Sequence, residues 1–322
     1  MWKHLKRLLL CIFFLVQNNF SFASENIMDH IKDSHEWHIT TINDHPVTIP
    51  LPVILWSKDR HIECFLSSNF YDEHHNLVPY QGYVLEHDKV VPLDKERKII
   101  DFSFTKNLAA MMVSLVILFA MLLSAGRWYK THSYMDTPRG FVGALEMLIL
   151  FIRDEIAVPN IGKEKSEKFM PYLLTVFFFI WLNNMLGLLP GSANVTGCAS
   201  IAFCLAFFTF CMTSFNGTKN YWSHILTPHV PKFLWPIMVP IEVVGIFTKP
   251  ITLMIRLVAN ISSGHIIIAS LIGFIFMFQK GSVGIGTVFL GSFMILLKLL
   301  VCFIQAYVFT LLSSMYIGDA VK

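Results

Sequence analysis

Between residues 107 and 317 the chain is dominated by long apolar runs with no polar face. The run 175–181 is one example, and a segment that is apolar all round either fills a deep core or crosses a membrane. Several runs reach the roughly 20 residues that are needed to cross hydrocarbon. The pattern predicts membrane spans at about 107–126, 170–189 and 197–215, followed by two longer apolar segments at 235–279 and 283–317.

The last two segments are each longer than a perpendicular span requires, which predicts tilted helices. Only a short turn, 280–282, separates them, so we expect an antiparallel hairpin. The stretch 141–156 differs, because charged residues stand between apolar residues at helical spacing. This pattern predicts an amphipathic helix at the membrane interface rather than a span. The charged residues are Glu146, Arg153, Asp154 and Glu155.

The extreme N-terminus has the pattern of a signal peptide at 1–23. Lys3, Lys6 and Arg7 precede a short apolar run, and small residues at 21 and 23 form a cleavage site. The alternative is a short first membrane helix, although the apolar run is too short to cross a bilayer.

Residues 24–105 are polar, and short alternating stretches such as 47–53 predict strands. This part holds eight of the thirteen histidines, but no pair has convincing metal-ligand geometry. We expect a small, partly β exported region here and a membrane domain at 106–322. The predicted fold class is an all-α polytopic membrane protein with about five transmembrane helices, one interfacial helix and this N-terminal region.

Composition supports the membrane assignment. Of the 322 residues, 54% are hydrophobic and 15% are charged, whereas soluble domains carry about a quarter charged residues. The net charge of +3 is spread over loops, which argues against a nucleic-acid partner. The six cysteines show no C-x-x-C pair, so neither a disulfide framework nor a metal site is expected. No G-x-x-x-x-G-K-[ST] motif occurs, and we expect no nucleotide site and no cofactor.

The loop charges predict the topology. The loop 127–168 holds seven Lys and Arg residues and the loop 191–196 holds none. Because basic loops face the cytoplasm, the first span should enter from outside and the C-terminus should be cytoplasmic. This orientation agrees with an exported N-terminus.

Glu242, Lys249, Arg256, Asn260 and His265 all lie within one membrane-length element, 240–265. A charge at the bilayer centre costs about 3 kcal/mol on insertion scales, so it marks a function or a needed partner. At 1.5 Å per residue, Glu242 lies roughly 21 Å from Arg256 and His265 about 13 Å beyond it. Arg256 is therefore near mid-membrane.

No Asp or Glu of another span falls at the depth of Arg256, and its depth argues against a snorkelling side chain. A carboxylate of another protein is the expected counter-ion, and the arginine would lower the pKa of that carboxylate. On the opposing helix Gln305 falls at about the depth of Arg256, and Lys298 about 10 Å outward, near His265. Asn183 and Asn184 either widen a hydrated path or form helix–helix hydrogen bonds.

Together these residues resemble subunit a of the F-type ATP synthase. The resemblance covers residue 106 to the C-terminus and leaves 24–105 unexplained, although some bacterial members carry an exported extension. It rests on Arg256-Leu-Val-Ala-Asn260 followed by Gly264-His265, on Glu242 and Lys249-Pro250 upstream, on the run 304–312 around Gln305, and on 183–190.

The resemblance implies that Arg256 is the stator arginine, which faces the carboxylate of each passing subunit c. Asn260 and Gln305 would be its polar neighbours, His265 would lie in the outer half-channel, and Glu242 would line the cytoplasmic exit. The implied activity is proton translocation through two offset half-channels. The implied partners are the c-ring, the peripheral-stalk subunit b and other synthase subunits, together with the lipid bilayer.

Lys298 departs from the family pattern, which usually pairs an acid with a histidine at this position and that of His265. Two basic groups would each disfavour the protonated form of the other. A neutral lysine relaying protons, a water relay with His265 alone, and a snorkelling Lys298 all remain open.

Two other functional classes compete with this reading. A secondary transporter would need a buried substrate-coupling arginine, but no inverted repeats or paired broken helices are evident. An exported binding domain on a simple anchor does not explain the mid-membrane charges. Of the two coupling ions, we expect protons rather than sodium, because histidine, as at His265, ordinarily changes charge near neutral pH and is a poor sodium ligand.

Overall fold

Helices account for most of the structure, a computed structural model that describes residues 35–42, 45–57, 61–72, 77–86, 89–94, 97, 99–132, 137–188, 195–226, 235–278 and 281–321. Four helical stretches are long and apolar enough to cross a membrane: Lys106–Thr131, Lys163–Leu186, Ile237–Asn260 and Phe289–Val321. Ala199–Phe215 is a shorter apolar helix. The predicted polytopic helical architecture is confirmed, while the fifth span stays a prediction. The predicted signal peptide lies outside the described residues.

The strands are β1 (Glu36–Ile42), β2 (His45–Pro50), β3 (Pro52–Ser57), β4 (His61–Leu66), β5 (Tyr83–Glu86), β6 (Lys89–Pro92) and β7 (Ile99–Asp101). The helices are α1 (Lys106–Thr131), α2 (Phe141–Phe151), α3 (Val158–Ile161), α4 (Lys163–Leu186), α5 (Ala199–Phe215), α6 (Lys219–Leu226), α7 (Trp235–Phe278) and α8 (Gly281–Val321). A π-helical turn, Ile152–Ala157, joins α2 to α3.

The N-terminal strands form antiparallel sheets, as the alternating stretches predict. β1 pairs with β2, β5 pairs with β6, and β3 lies between β4 and β7. Side chains alternate along β3, so that one face packs into a core with the β5–β6 hairpin. Phe70 and Tyr83 are the largest residues of that core. Its other members are Val53, Leu55, Leu85 and Val90.

Hydroxyl groups join three membrane helices. The Tyr172 hydroxyl of α4 lies 2.7 Å from Thr209 Oγ1 of α5, and Thr209 Oγ1 lies 3.4 Å from Ser313 Oγ of α8. Around them the aromatic side chains pack closely, and Phe177 meets Phe303 edge to face with ring centroids 5.8 Å apart. Because lipid is as apolar as these side chains, such hydrogen bonds specify which helix faces meet.

The C-terminal end of α8 packs on the π-helical turn. Ser314 Oγ donates to the Ile156 carbonyl at 3.0 Å, a group that also accepts from Asn160 Nδ2 at 2.8 Å. A Cβ atom at Gly318 would lie 2.4 Å from the Asn160 carbonyl oxygen. Only glycine permits this approach of two backbones.

Two predicted boundaries were wrong, and one helix was not predicted. The helix expected at 141–156 continues through the π-helical turn to Ile161, because Ser314 satisfies a carbonyl that the widened turn leaves free. The second span begins at Lys163 rather than at residue 170, since polar residues extend it into the interface. Helix α6 lies between the predicted segments 197–215 and 235–279, where the apolar pattern predicted no helix, and its first turn is held by Tyr221 N donating to Thr218 Oγ1 at 3.3 Å.

Candidate functional site

Two contacts set the register between α7 and α8. The Lys249 ammonium lies 5.0 Å from the centre of the Tyr316 ring, and Asn260 Nδ2 donates a hydrogen bond to Gln305 Oε1. The two contacts are eleven residues apart on each helix, from Lys249 to Asn260 along α7 and from Tyr316 back to Gln305 along α8. The helices run antiparallel over this stretch, and the same register places Arg256 at the level of Phe309.

Arg256 stands at the edge of the packed face of α7. Leu253 and Leu257, on its inner side, are fully buried, whereas Ile255 is exposed. Arg256 itself is half-buried. Within the described residues it forms no ion pair with a carboxylate. A guanidinium stays protonated at any physiological pH, so the helix presents an unneutralised positive charge beside an exposed surface.

Gln305 is the buried polar neighbour of that charge. Its side-chain amide is 3% exposed, and its carbonyl oxygen is occupied by Asn260, which lies one helical turn beyond Arg256. Its Nε2 donor has no partner in the described part of the chain. A buried donor without a partner costs about 1–3 kcal/mol. Gln305 thus keeps one hydrogen-bond donor available for a water molecule or a carboxylate.

His265 and Lys298 lie at nearly the same depth, farther along the two helices. In the register set by Asn260 and Gln305, His265 is opposite residue 300 of α8. Lys298, seven residues before Gln305, is about 10 Å from it along the axis, and its side chain is half-buried. The structure describes the His265 backbone within α7 but not its side chain.

Glu242 lies near the start of α7, about 21 Å from Arg256 along the axis. At this end, Tyr221 of α6 is close to two carboxylates. Burial raises the pKa of Tyr221, and the negative charges of Asp319 and Glu242 raise it further. Glu242, Asp319 and Tyr221 therefore form one polar cluster where α7 begins and α8 ends.

A recess with about 280 Å³ of empty space, part of it open to the surroundings, has Tyr221 of this cluster in its wall and reaches Leu253, three residues before Arg256. It reaches from α5 and α6 to α7 and α8, and Lys249 and Pro250 form part of its wall. Pro250 has no N–H, so the Ile246 carbonyl loses its helical donor. Hydroxyl groups supply most of the other polar lining. They belong to Thr209, Thr213, Ser214, Tyr221 and Tyr316.

Asn183 and Asn184 are both buried near the end of α4. Asn184 Oδ1 accepts a hydrogen bond of 2.6 Å from Thr196 Oγ1, which ties α4 to the segment before α5. Asn183 Nδ2 donates to the Phe179 carbonyl at 2.8 Å. Its Oδ1 has no partner among the residues that are described. Asn184 therefore serves helix packing, and Asn183 retains a free acceptor.

The sequence pattern did not identify Tyr221, Tyr316 and Asp319 as neighbours of the charged element 240–265. Asp319 lies in the last turn of the terminal helix, where an acidic residue is unfavourable beside the helix C-terminus. This unfavourable position was the feature of the sequence that could have indicated a special role for Asp319. The two tyrosines gave none, because their approach depends on the packing of α6 and α8. No cluster of three metal-ligating side chains occurs within the described ranges.

Comparison with known proteins yields two family matches. Residues 108–318 match the family model "ATP synthase A chain", and residues 26–111 match "Domain of unknown function (DUF8433)". A protein of Chloroherpeton thalassium named "ATP synthase subunit a" is 40% identical over 78% of this chain and 76% of its own length. One of the same name from Myxococcus xanthus is 44% identical over 69% and 74%, and one from Anaeromyxobacter sp. is 38% identical over 78% and 62%.

Proposed function

We propose, from the premise that this chain belongs to the ATP synthase A chain family, that Arg256 faces the carboxylates of a rotating c-ring between two offset half-channels. The chain is the proton-translocating membrane-sector subunit of a proton-transporting ATP synthase and is not itself catalytic. Nucleotide chemistry takes place on other subunits. The roles of individual residues are our proposal.

The half-buried Arg256, without an ion pair in the described chain, carries this proposal. Beside it, α7 presents an exposed apolar stripe that includes Val244, Ile251 and Ile255. An apolar surface with one cation at its edge suits a ring of apolar helices, each with one carboxyl group. Facing Arg256, that carboxyl group loses its proton because the guanidinium favours the charged form. Protons therefore cannot cross directly between the half-channels.

The outer half-channel, in this proposal, passes His265 and Lys298 and ends at Asn260 and Gln305. The free Nε2 donor of Gln305 supports its place at the inner end, because it can hold a water molecule beside an arriving carboxylate. Asn183, with its free Oδ1, is a further member of the hydrated path, and Asn184 positions α4 by bonding to Thr196.

The exit pathway is assigned to the cluster of Glu242, Tyr221 and Asp319 and to the recess behind it. This end has two carboxylates near the half-buried phenol of Tyr221 and a recess whose wall carries five hydroxyl groups and reaches Leu253, three residues before Arg256. A proton that leaves the ring carboxylate can pass along such groups to the surface. The basic loop 127–168 supports a cytoplasmic location for this end, with the N-terminus periplasmic in a bacterial inner membrane.

ATP-driven proton pumping in inverted membrane vesicles tests the proposal. Arg256→Ala should abolish pumping, because the ring carboxylate then keeps its proton as it crosses between the half-channels. The matched control is Arg153→Ala, which removes an exposed arginine paired with Asp154 at 2.8 Å and should pump normally. Pumping that survived Arg256→Ala in an assembled complex would exclude Arg256 as the stator charge.

A further inference from the structure

The three-stranded sheet β4–β3–β7 has an apolar face that the described part of the chain leaves open. Trp56 is opposite both Ile62 and Ile100, and Ile54 is opposite Cys64. Directly opposed residues project from the same side of a sheet. We call this side, with no charged residue, the apolar sheet face. Its members are Pro52, Ile54, Trp56, Ile62, Cys64, Leu66, Ile100 and Phe102.

Most side chains of the apolar sheet face are exposed, and only Pro52 and Ile54 among them are half-buried. Ile62 is 70% and Phe102 is 63% exposed, and Leu66 is 50% exposed. The opposite face, which packs on the core through Val53 and Leu55, is the more polar one. Antiparallel sheets that meet water on one side normally carry polar residues there. When the exposed side of a sheet is more apolar than the side that packs on the core, another molecule is expected to cover the exposed side.

The sheet continues directly into the membrane helix α1. Phe102 N donates to the Ile54 carbonyl at 2.9 Å and Phe104 N to the Pro52 carbonyl at 3.0 Å, so strand pairing lasts until two residues before Lys106. With 26 residues, α1 is about 39 Å long and outreaches a hydrocarbon core of about 30 Å. The start of α1, and with it Phe102, therefore lies at headgroup level.

We propose that the apolar sheet face rests in the boundary between lipid headgroups and acyl chains, on the side of the membrane where the N-terminal region lies. Aromatic side chains such as Trp56 favour this boundary. Covalent attachment to α1 removes most of the translational entropy cost of binding. The proposal requires only that the chain spans the membrane and is independent of proton translocation.

Cys64 is a natural reporter, because it is exposed on this face. The synthase complex, with the other cysteines of this chain replaced and Cys64 carrying an NBD fluorophore, is placed in lipid nanodiscs. The matched control is Cys64→Ser with Lys89→Cys, since Lys89 is an exposed residue of the β5–β6 hairpin. Lipids with a nitroxide near the headgroup should quench the label at residue 64 at least threefold more than at residue 89. Aqueous iodide should give the reverse order.

Photocrosslinking in native membranes identifies the occupant. Ile62→benzoylphenylalanine should form a lipid adduct, and Lys89→benzoylphenylalanine should not. Both variants are scored only in the fraction that co-purifies with the synthase, so that misfolded chains are excluded. A protein adduct at residue 62, whether with another subunit or with a second copy of this chain, would overturn the proposal. Equal nitroxide quenching at residues 64 and 89 would also overturn it.

Discussion

The amides of Asn260 and Gln305 show how unequal burial separates the roles of two similar side chains. Asn260 is exposed and Gln305 is 3% exposed, yet they share one hydrogen bond. Water or a partner subunit can satisfy the exposed amide when the bond is lost. Within the described residues, the carbonyl oxygen of the buried amide accepts only from Asn260. Asn260 is therefore the residue on which the stability of this contact depends.

Replacing these two residues in turn should give unequal losses of stability. Asn260→Leu leaves the whole Gln305 amide buried without a partner and should cost about 1–3 kcal/mol. Gln305→Leu removes the buried polar group together with its unmet donor and should cost less. The measurement is the apparent Tm of the detergent-solubilised chain. A larger Tm drop for Gln305→Leu would contradict this assignment of the hydrogen bond.

Residue depths could be predicted from the sequence more fully than residue contacts. An axial rise of 1.5 Å and an antiparallel hairpin were enough to place Gln305 near the level of Arg256, and the Asn260–Gln305 bond is consistent with that depth. The approach of Tyr221 and Asp319 to Glu242 could not be foreseen. It depends on how α6 and the end of α8 pack, and neither periodicity nor hydropathy encodes that packing.

At the scale of single elements, strand β1 begins with a buried acid. Glu36 is 8% exposed, and burial raises its pKa from 4.5 to about 7. Between these two pH values the unfolded chain has released this proton while the folded strand retains it. The contribution of Glu36 to stability is therefore highest below pH 4.5 and is lost as the pH rises to 7.

Hydrogen–deuterium exchange of the intact chain should detect this loss. Backbone amides of β1 and β2 should be better protected at pH 5 than at pH 7.5, after correction for intrinsic exchange, by at most about 3 kcal/mol. Glu36→Gln should abolish the difference. Asp101, the nearby acid, does not contribute to this pH dependence. Burial raises the pKa of Asp101, but hydrogen bonds from His35 and Ser103 outweigh burial and lower this pKa. Asp101 is therefore ionised at both pH values. An unchanged pH dependence in Glu36→Gln would refute the assignment.

The end of α8 depends on one glycine. In Gly318→Ala the new Cβ would meet the Asn160 carbonyl oxygen at 2.4 Å, and because both groups belong to backbone, one helix must move. Overpacking of this kind costs about 1–3 kcal/mol. We expect a lower apparent Tm and a C-terminus that is cleaved faster by carboxypeptidase. Gly291→Ala on the same helix, where nothing lies within 4 Å, should be neutral or slightly stabilising.

At the scale of the whole molecule, apolar length predicted the membrane helices well and their ends poorly. Hydropathy identifies the part of a helix that lies in hydrocarbon, so the positions of the spans followed from it. It does not identify where a helix ends: α4 begins at Lys163, seven residues earlier than expected. Polar and charged residues extend that helix into the interface, and a hydropathy pattern does not predict such an extension. The π-helical turn was equally unpredictable, because it is held by Ser314, a residue 158 positions away in sequence from the carbonyl it bonds.

The exposed stripe of α7 gives the proposed rotor contact a direct test. Ile255 is exposed next to Arg256, so Ile255→Cys should form a disulfide with a cysteine placed one helical turn from the carboxylate of the ring subunit. The control is Phe119→Cys on α1, which is similarly apolar and exposed but should not reach the ring. Oxidised membranes are analysed by electrophoresis for an adduct of this chain with the small ring protein. Because the ring rotates, every copy of the ring subunit should pass residue 255. ATP hydrolysis before oxidation should therefore leave the crosslink yield unchanged, whichever copy is then in place. Equal yields at residues 255 and 119 would exclude the exposed stripe of α7 as the surface that meets the ring.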